Sequence, residues 1–111
     1  MKGDHLGEFE ELVLLAVHGL DAEAYGVSVQ LVLSRETSRD VSLGAVYAAL
    51  DRLETKGLVK SRMAPGTATR GGRSRRAFSI TASGAHALDA MQQVRLRLRR
   101  AGTYKALRPR S

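Results

Sequence analysis

Residues 42 to 76 constrain the fold of this chain more than any other segment. They begin with a stretch rich in small residues, SLGAVYAALDRL at 42–53, pass through Gly57, and continue into a segment that has basic but no acidic side chains. A helix that only fills a core has no need of a surface of glycine and alanine, whereas a helix that enters a DNA groove does. We therefore predict a recognition helix at 42–57, followed by a basic β-hairpin at 60–76.

Ser42 and Gly57 mark the ends of this predicted helix. A serine hydroxyl at the N-cap accepts hydrogen bonds from the free amides of the first turn, and glycine readily adopts the left-handed conformation that ends many helices. On a helical wheel the large apolar side chains share one face: Leu43, Val46, Leu50 and Leu53. The other face holds small or polar residues: Gly44, Ala48, Asp51, Arg52 and Thr55. We expect the first face to be core and the second to be open.

Two amphipathic helices precede this one. Apolar residues at spacings of three and four predict the first helix: Phe9, Leu12, Val13, Ala16, Val17 and Leu20. A polar break at 21–24 separates it from a second helix, which starts at Tyr25-Gly26 and ends at about Thr37. Gly26 lowers helix propensity by up to about 1 kcal/mol, so we expect it to permit close packing.

The hairpin and a fourth helix follow. The hairpin strands are predicted at 58–63 and 76–80, on either side of the turn-forming segment 65–72. Thr81 is suited to cap a fourth helix, and its apolar residues have the spacing of a helix that packs on another helix: Ala87, Met91, Val94 and Leu98. The predicted fold class is mainly α with a small two-stranded antiparallel β-hairpin, and we expect one DNA-binding domain at 1–80, a dimerisation helix at 81–102 and a flexible basic tail at 103–111.

Positive charge is segregated along the chain. Of the 18 basic and 11 acidic residues, six acids and one base lie in residues 1–23, so that segment carries a net charge of −5 and the other 88 residues carry +12. This imbalance favours a polyanionic partner or an anionic membrane surface. The longest apolar run, at 12–17, is too short to cross a bilayer and lacks the basic flank of a signal peptide. We expect a cytoplasmic protein without a membrane span.

Catalytic and metal-binding patterns do not emerge from the sequence. The absence of cysteine excludes disulfides, thiolate catalysis and cysteine-ligated zinc. The three histidines are not spaced as metal ligands, and the adjacent Glu10 and Glu11 point to different sides of a helix, which is unsuitable for paired acid and base catalysis. Gly71-Gly72 lacks the lysine and following helix of a phosphate-binding loop. We therefore expect neither an enzyme nor a metal or cofactor site.

Four strings in order resemble the PadR family of winged helix-turn-helix transcriptional regulators. They are LGEFEELVLLAV at 6–17, YGV at 25–27, SLGAVYAALDRLE at 42–54 with KGLV at 56–59, and ITASG at 80–84. Because about thirty residues follow Ile80, the chain resembles the short form of the family. The resemblance implies a cytoplasmic bacterial regulator, usually a repressor, that binds a near-palindromic operator in double-stranded DNA as a homodimer.

The resemblance and the charge pattern together nominate site residues. The expected DNA contacts are Tyr25, Ser42, Leu43, Gly44, Ala45, Tyr47, Arg52, Lys60, Arg62, Arg70, Arg73, Arg75 and Arg76. The expected dimer contacts, from the fourth helix and the partner's first, are Phe9, Leu12, Ala87, Leu88, Met91, Val94 and Leu98. The chain contains no Trp, the residue on which some multidrug-sensing relatives stack drugs, and its sequence indicates no particular small-molecule effector.

Other interpretations of the same residues remain open. Arg52 could pair with the adjacent Asp51 instead of DNA, and the small residues could allow tight helix packing. The basic residues of the wing could form a solvated run of charge, and the C-terminal arginines could flank a dimer helix or form a nonspecific DNA arm. For the whole chain, the alternatives are a nonspecific architectural or RNA-binding protein and a winged helix that binds another protein.

Overall fold

The computed structural model describes residues 6–65 and 75–100. These residues form four α-helices and one antiparallel sheet of two strands. The elements are α1 (Glu8–Leu20), α2 (Gly26–Thr37), α3 (Leu43–Thr55), β1 (Val59–Ala64), β2 (Arg75–Ile80) and α4 (Ala82–Arg99), with a short 3-10 turn (Asp21–Glu23) between α1 and α2. The predicted fold class is confirmed as a winged helix-turn-helix with a C-terminal helix. The observed α3 ends at Thr55, two residues before the predicted end, and β1 begins one residue late.

The core lies between the first three helices and the inner face of the sheet. Its largest fully buried side chains recur at helical spacing in the helices, which explains why these segments fold as amphipathic helices. They are Val13, Leu14, Val17, Val29, Val46, Leu50, Leu53 and Val59. Each such side chain contributes roughly 1.5–3 kcal/mol relative to an exposed position.

The predicted helix ends are confirmed at three positions. The Ser42 hydroxyl accepts a hydrogen bond from the Ala45 amide at 3.1 Å, and the Thr81 hydroxyl accepts one from the Gly84 amide at 3.0 Å. Both oxygens satisfy amides that have no partner within the helix. Gly57 has a φ of 77°, which is the left-handed conformation expected of a glycine after a helix.

The wing is joined to the start of α2 as well as to α3. Within the sheet, the register runs from Val59 opposite Ile80 to Ala64 opposite Arg75. On the other edge of β2, the Phe78 amide donates to the Ala24 carbonyl at 2.8 Å, and Tyr25 forms an isolated bridge with Ala77. The base of the wing is therefore fixed to both helices of the helix-turn-helix.

The fourth helix buries side chains against the domain only in its first half, and Arg95 in its second half donates hydrogen bonds to the Glu11 carboxylate of α1. Its 18 residues span about 27 Å, and Gly84 and Leu88 are its buried positions. A methyl group at Gly84 would overlap the Leu58 carbonyl, so the glycine permits this close approach. From Gln92 to Arg100 every residue is exposed. None of the helices in the described ranges is long and apolar enough to cross a membrane.

Candidate nucleic-acid interface

The outer face of α3 is left exposed by the residues that the structure describes. Val46, Leu50 and Leu53 turn into the core, while Gly44, Ala45 and Ala48 are exposed. Apart from its own helical turn, no described residue has an atom within 4 Å of where a Cβ on Gly44 would be. Ala49, by contrast, is fully buried, so tight packing accounts for that alanine and not for the other three small residues. The exposed surface of Gly44, Ala45 and Ala48 is called the small-residue face below.

Tyr47 borders the small-residue face and contacts α2. Its ring is half-buried and lies so close to Gly26 that a methyl group there would overlap it. The expectation that Gly26 serves close packing is confirmed. Leu43 is also half-buried, and Ser42 is exposed at the N-cap. Ser42 and Tyr47 thus flank the first two turns of α3, each with a hydroxyl group.

Arg52 has a different partner from the one considered in the sequence analysis. Its Nε donates to Glu10 Oε2 at 2.7 Å, so the suggested pairing with the adjacent Asp51 is wrong. Lys56 Nζ donates to Glu10 Oε1, also at 2.7 Å. Burial alone would raise the pKa of Glu10, but the hydrogen bonds from Lys56, Arg52 and the Gly7 amide outweigh it and hold that pKa below its usual value. Glu10 therefore anchors the C-terminal end of α3 to α1.

The strand register divides the basic residues of the wing between two faces. Residues opposite each other in an antiparallel pair share a face, and neighbours along a strand alternate. Lys60 is opposite Ser79, and Arg62 is opposite Ala77, which places both bases on the face that Arg75 also occupies. Lys60, Arg62 and Arg75 are all exposed. Arg76 lies on the other face, which is turned toward α3.

Arg75 stacks on a helix residue. Its guanidinium carbon is 4.0 Å from the centroid of the Tyr25 ring, a cation–π contact that orients the charged group without consuming its hydrogen-bond donors. Tyr25 is the N-cap residue of α2 and is half-buried. The structure thus brings two predicted site residues from distant segments together beside the helix-turn-helix.

Arg76 binds carboxylates of α3. Its Nη1 is 3.2 Å from Asp51 Oδ1, and its Nη2 is 2.7 Å from Glu54 Oε1. Sequence reasoning did not identify Glu10 and Glu54 as partners of these bases, because residues that are 42 and 22 positions apart meet only through the tertiary fold. Arg70 and Arg73, and the tail at 103–111, lie outside the described residues.

The residues expected at a dimer contact are spread between core and surface. Phe9, Leu12, Ala87 and Met91 are half-buried, and Val94 and Leu98 are 39% and 65% exposed. Leu88 departs from the expectation: it is only 9% exposed and packs in the core of its own protomer. Its surface is already covered, so we do not include it in the interface proposed below.

The acidic and histidine side chains do not gather into a metal centre. In the two described ranges, no three His, Asp or Glu side chains are grouped so that they could hold a metal ion. The carboxylates that do cluster with other charged groups face lysine or arginine, as Glu10 and Glu54 show.

This combination of an open helix face and a basic wing has a counterpart in a known family. The sequence pattern of the transcriptional regulator PadR-like family matches residues 14–90. The chain belongs to this family. As a PadR-like protein it is a DNA-binding transcriptional regulator, and the matched residues include α2, α3, the wing and half of α4.

Solved structures share the PadR-like fold. A PadR family transcription regulator from hypervirulent Clostridium difficile is 27% identical, with a TM-score of 0.67 over 83% of this chain and 91% of that chain. A PadR-like transcriptional regulator from Bacillus cereus is 20% identical, with a TM-score of 0.67 over 92% and 93% of the two chains. The protein hsRosR, solved as a complex, is 22% identical, with a TM-score of 0.64 over 96% and 89%. No curated protein matches the chain.

Proposed function

We propose that this PadR-like protein is a homodimeric repressor that reads operator DNA with α3. The observation that carries the proposal is the small-residue face, which the described residues leave exposed and which Ser42 and Tyr47 border. Small side chains let a helix backbone approach base edges in the major groove, while flanking hydroxyl groups can donate to phosphates and fix the register.

The wing would supply most of the charge for binding. Lys60, Arg62 and Arg75 are exposed on one face of the sheet and can reach the DNA backbone or the minor groove. Because phosphate contacts carry no sequence information, this part of the interface would add affinity and orientation, and specificity would come from α3.

The second half of α4 is suited to a second copy of the chain. Val94 and Leu98 are exposed at the spacing of a helix-packing seam, and Met91 continues the seam toward the domain. The half-buried Phe9 and Leu12 of the partner's α1 would complete the apolar contact. Such a dimer would place two copies of α3 in successive major grooves, about 34 Å apart.

Repression would follow from occupancy of the promoter. A dimer that covers two successive major grooves would compete with polymerase for the same stretch of duplex. The protein needs no catalytic group for this function, only an affinity for the operator that exceeds its affinity for other DNA.

Selection from a genomic fragment library tests the function. The purified protein is mixed with the fragments at about 150 mM salt, the retarded complexes are isolated by gel shift, and the bound sequences are compared. We expect enrichment of fragments that share a near-palindromic site with half-sites one helical turn apart. Affinity that follows only duplex length would instead indicate an architectural protein, and a protein partner that withstands nuclease and high salt would indicate an interaction module.

A further inference from the structure

Arg76 differs from the other bases of the wing in what it contacts. Its two terminal nitrogens bind different carboxylates, Asp51 at 3.2 Å and Glu54 at 2.7 Å. A guanidinium group suits this arrangement because its donors lie in one rigid plane. The guanidinium carbon also lies 4.9 Å from the centroid of the Phe78 ring, which helps to orient the group.

Glu54 receives side chains from both strands of the wing. One of its oxygens accepts from Arg76 of β2, and the other accepts from the Ser61 hydroxyl of β1 at 2.8 Å. The Ser61 hydrogen bond and the neighbouring Arg76 charge hold the pKa of Glu54 below its usual value, against the opposing effect of burial. Both strands are thereby joined to α3 through one carboxylate.

The carboxylates of α3 would oppose DNA binding if they were left unneutralised. Asp51 is 62% exposed, and it shares the outer side of α3 with the small-residue face. The cations at the end of the same helix, Arg52 and Lys56, are bound to Glu10. Arg76 pairs with both Asp51 and Glu54, and without this arginine both carboxylates would lose a neutralising partner on the helix that approaches the duplex.

We propose that Arg76 is a positioning residue that fixes the wing to α3 and neutralises Asp51 and Glu54, rather than a contact to phosphate. The proposal rests on the DNA-binding function proposed above. Two adjacent arginines therefore have different roles. Arg75, on the opposite face of the sheet, contacts DNA, whereas Arg76 neutralises the carboxylates of α3 that would otherwise repel DNA.

A double-mutant cycle separates these two roles. Operator affinity is measured for Arg76→Gln in the natural chain and in a background carrying Asp51→Asn and Glu54→Gln. We expect about a tenfold loss in the natural chain, because the exposed carboxylates repel the duplex, and less than about a twofold change in the neutralised background. Arg75→Gln is the matched control. It should lower operator affinity by the same factor in both backgrounds, and it should reduce the slope of log affinity against log salt concentration by about one per protomer.

Two further readouts do not depend on that cycle. Arg76→Lys keeps the charge but cannot span both carboxylates, so it should lie between Arg76→Gln and the natural chain in affinity. Without DNA, an NMR titration should show the Glu54 pKa rising in Arg76→Gln and unchanged in Arg75→Gln. Thermal melting of every variant establishes that each one is folded.

The proposal is overturned if Arg76→Gln lowers operator affinity by the same factor in both backgrounds, or if the substitution leaves the pKa of Glu54 unchanged. In those cases the natural chain still binds its operator, and only the role of Arg76 is lost. If the natural chain binds no duplex with sequence preference, the proposed function itself fails, so the two failures are distinguishable.

Discussion

The ring of Tyr47 on α3 lies against Gly26 at the start of α2, so closely that a methyl group at position 26 would overlap the ring and its hydroxyl. This contact sets how near the two helices of the helix-turn-helix approach each other. It also explains why a glycine, which is unfavourable in a helix, occupies the first helical residue of α2. The position of α3 therefore depends on a residue that lies outside it.

Replacing this glycine should weaken the fold. We expect Gly26→Ala to lower the free energy of unfolding by about 1–3 kcal/mol, because the added methyl group overpacks the contact with Tyr47. The measurement is urea unfolding, with a lower midpoint and an unchanged slope. Gly19→Ala is the control, since apart from its own helical turn no described residue has an atom within 4 Å of the added Cβ. Equal effects of the two substitutions would contradict the contact.

Glu10 should make stability depend on pH. Its pKa in the folded protein is below the ordinary value of 4.5, so its stabilising contribution is fully present above that value and is lost as the pH falls through the lowered pKa. We expect Glu10→Gln to cost about 2 kcal/mol at pH 7, and the difference from the natural chain should shrink at pH 3. Chemical unfolding at both pH values measures this.

Glu8→Gln serves as the control for Glu10. It changes an acid in the same helix that is 74% exposed and 3.8 Å from Arg39, so we expect an effect within about 0.5 kcal/mol. A loss at Glu8 as large as that at Glu10, or a Glu10 effect that is constant with pH, would mean that the ion pairs with Arg52 and Lys56 do not stabilise α3.

Salt should weaken operator binding steeply. If a dimer neutralises about eight phosphates through its exposed bases, the logarithm of the association constant should fall against the logarithm of the salt concentration with a slope near −7. Fluorescence anisotropy with a labelled operator between about 50 and 200 mM salt gives the slope. A slope near zero would be incompatible with a wing that grips the DNA backbone.

The second half of α4 should determine the oligomeric state. Leu98→Asp places a charge on the exposed seam and should yield monomers, because an unpaired carboxylate is costly to bury in an apolar contact. Gln93→Asp, off the seam on the same exposed half of the helix, should leave the dimer intact. Sedimentation equilibrium measures the mass of both variants. A Leu98→Asp dimer as stable as the natural one would move the interface elsewhere.

Helix ends were predictable from the sequence because they depend on residues that are close together in the chain. The caps at Ser42 and Thr81 bond to amides three residues away, and Gly57 needs only its own backbone freedom. The apolar periodicity of α1 and α3 likewise predicted much of the core. It did not predict Leu14 or Ala49, which are fully buried. The small-residue face was predictable for the same reason, since it follows from the order of residues within one helix.

Ion pairs and the limits of the core were not predictable in this way. Glu10 meets Arg52 only because α1 crosses the end of α3, and the adjacent Asp51 was an equally plausible partner on local grounds. The spacing of apolar residues in α4 could not show that Leu88 faces its own core while Val94 and Leu98 stay exposed. These distinctions depend on the residue at which α4 leaves the domain, and no local sequence pattern predicts that residue.

The operator affinity of a bulky variant at Ala48 tests the central claim most directly. Ala48 is exposed at the middle of the small-residue face, so Ala48→Leu should leave thermal melting unchanged and reduce operator affinity about a hundredfold or more, since α3 could no longer approach the bases. Ala48→Ser, which stays small, should bind within a few-fold of the natural chain. Equal affinity of the leucine variant and the natural chain would show that this face of α3 does not enter the groove.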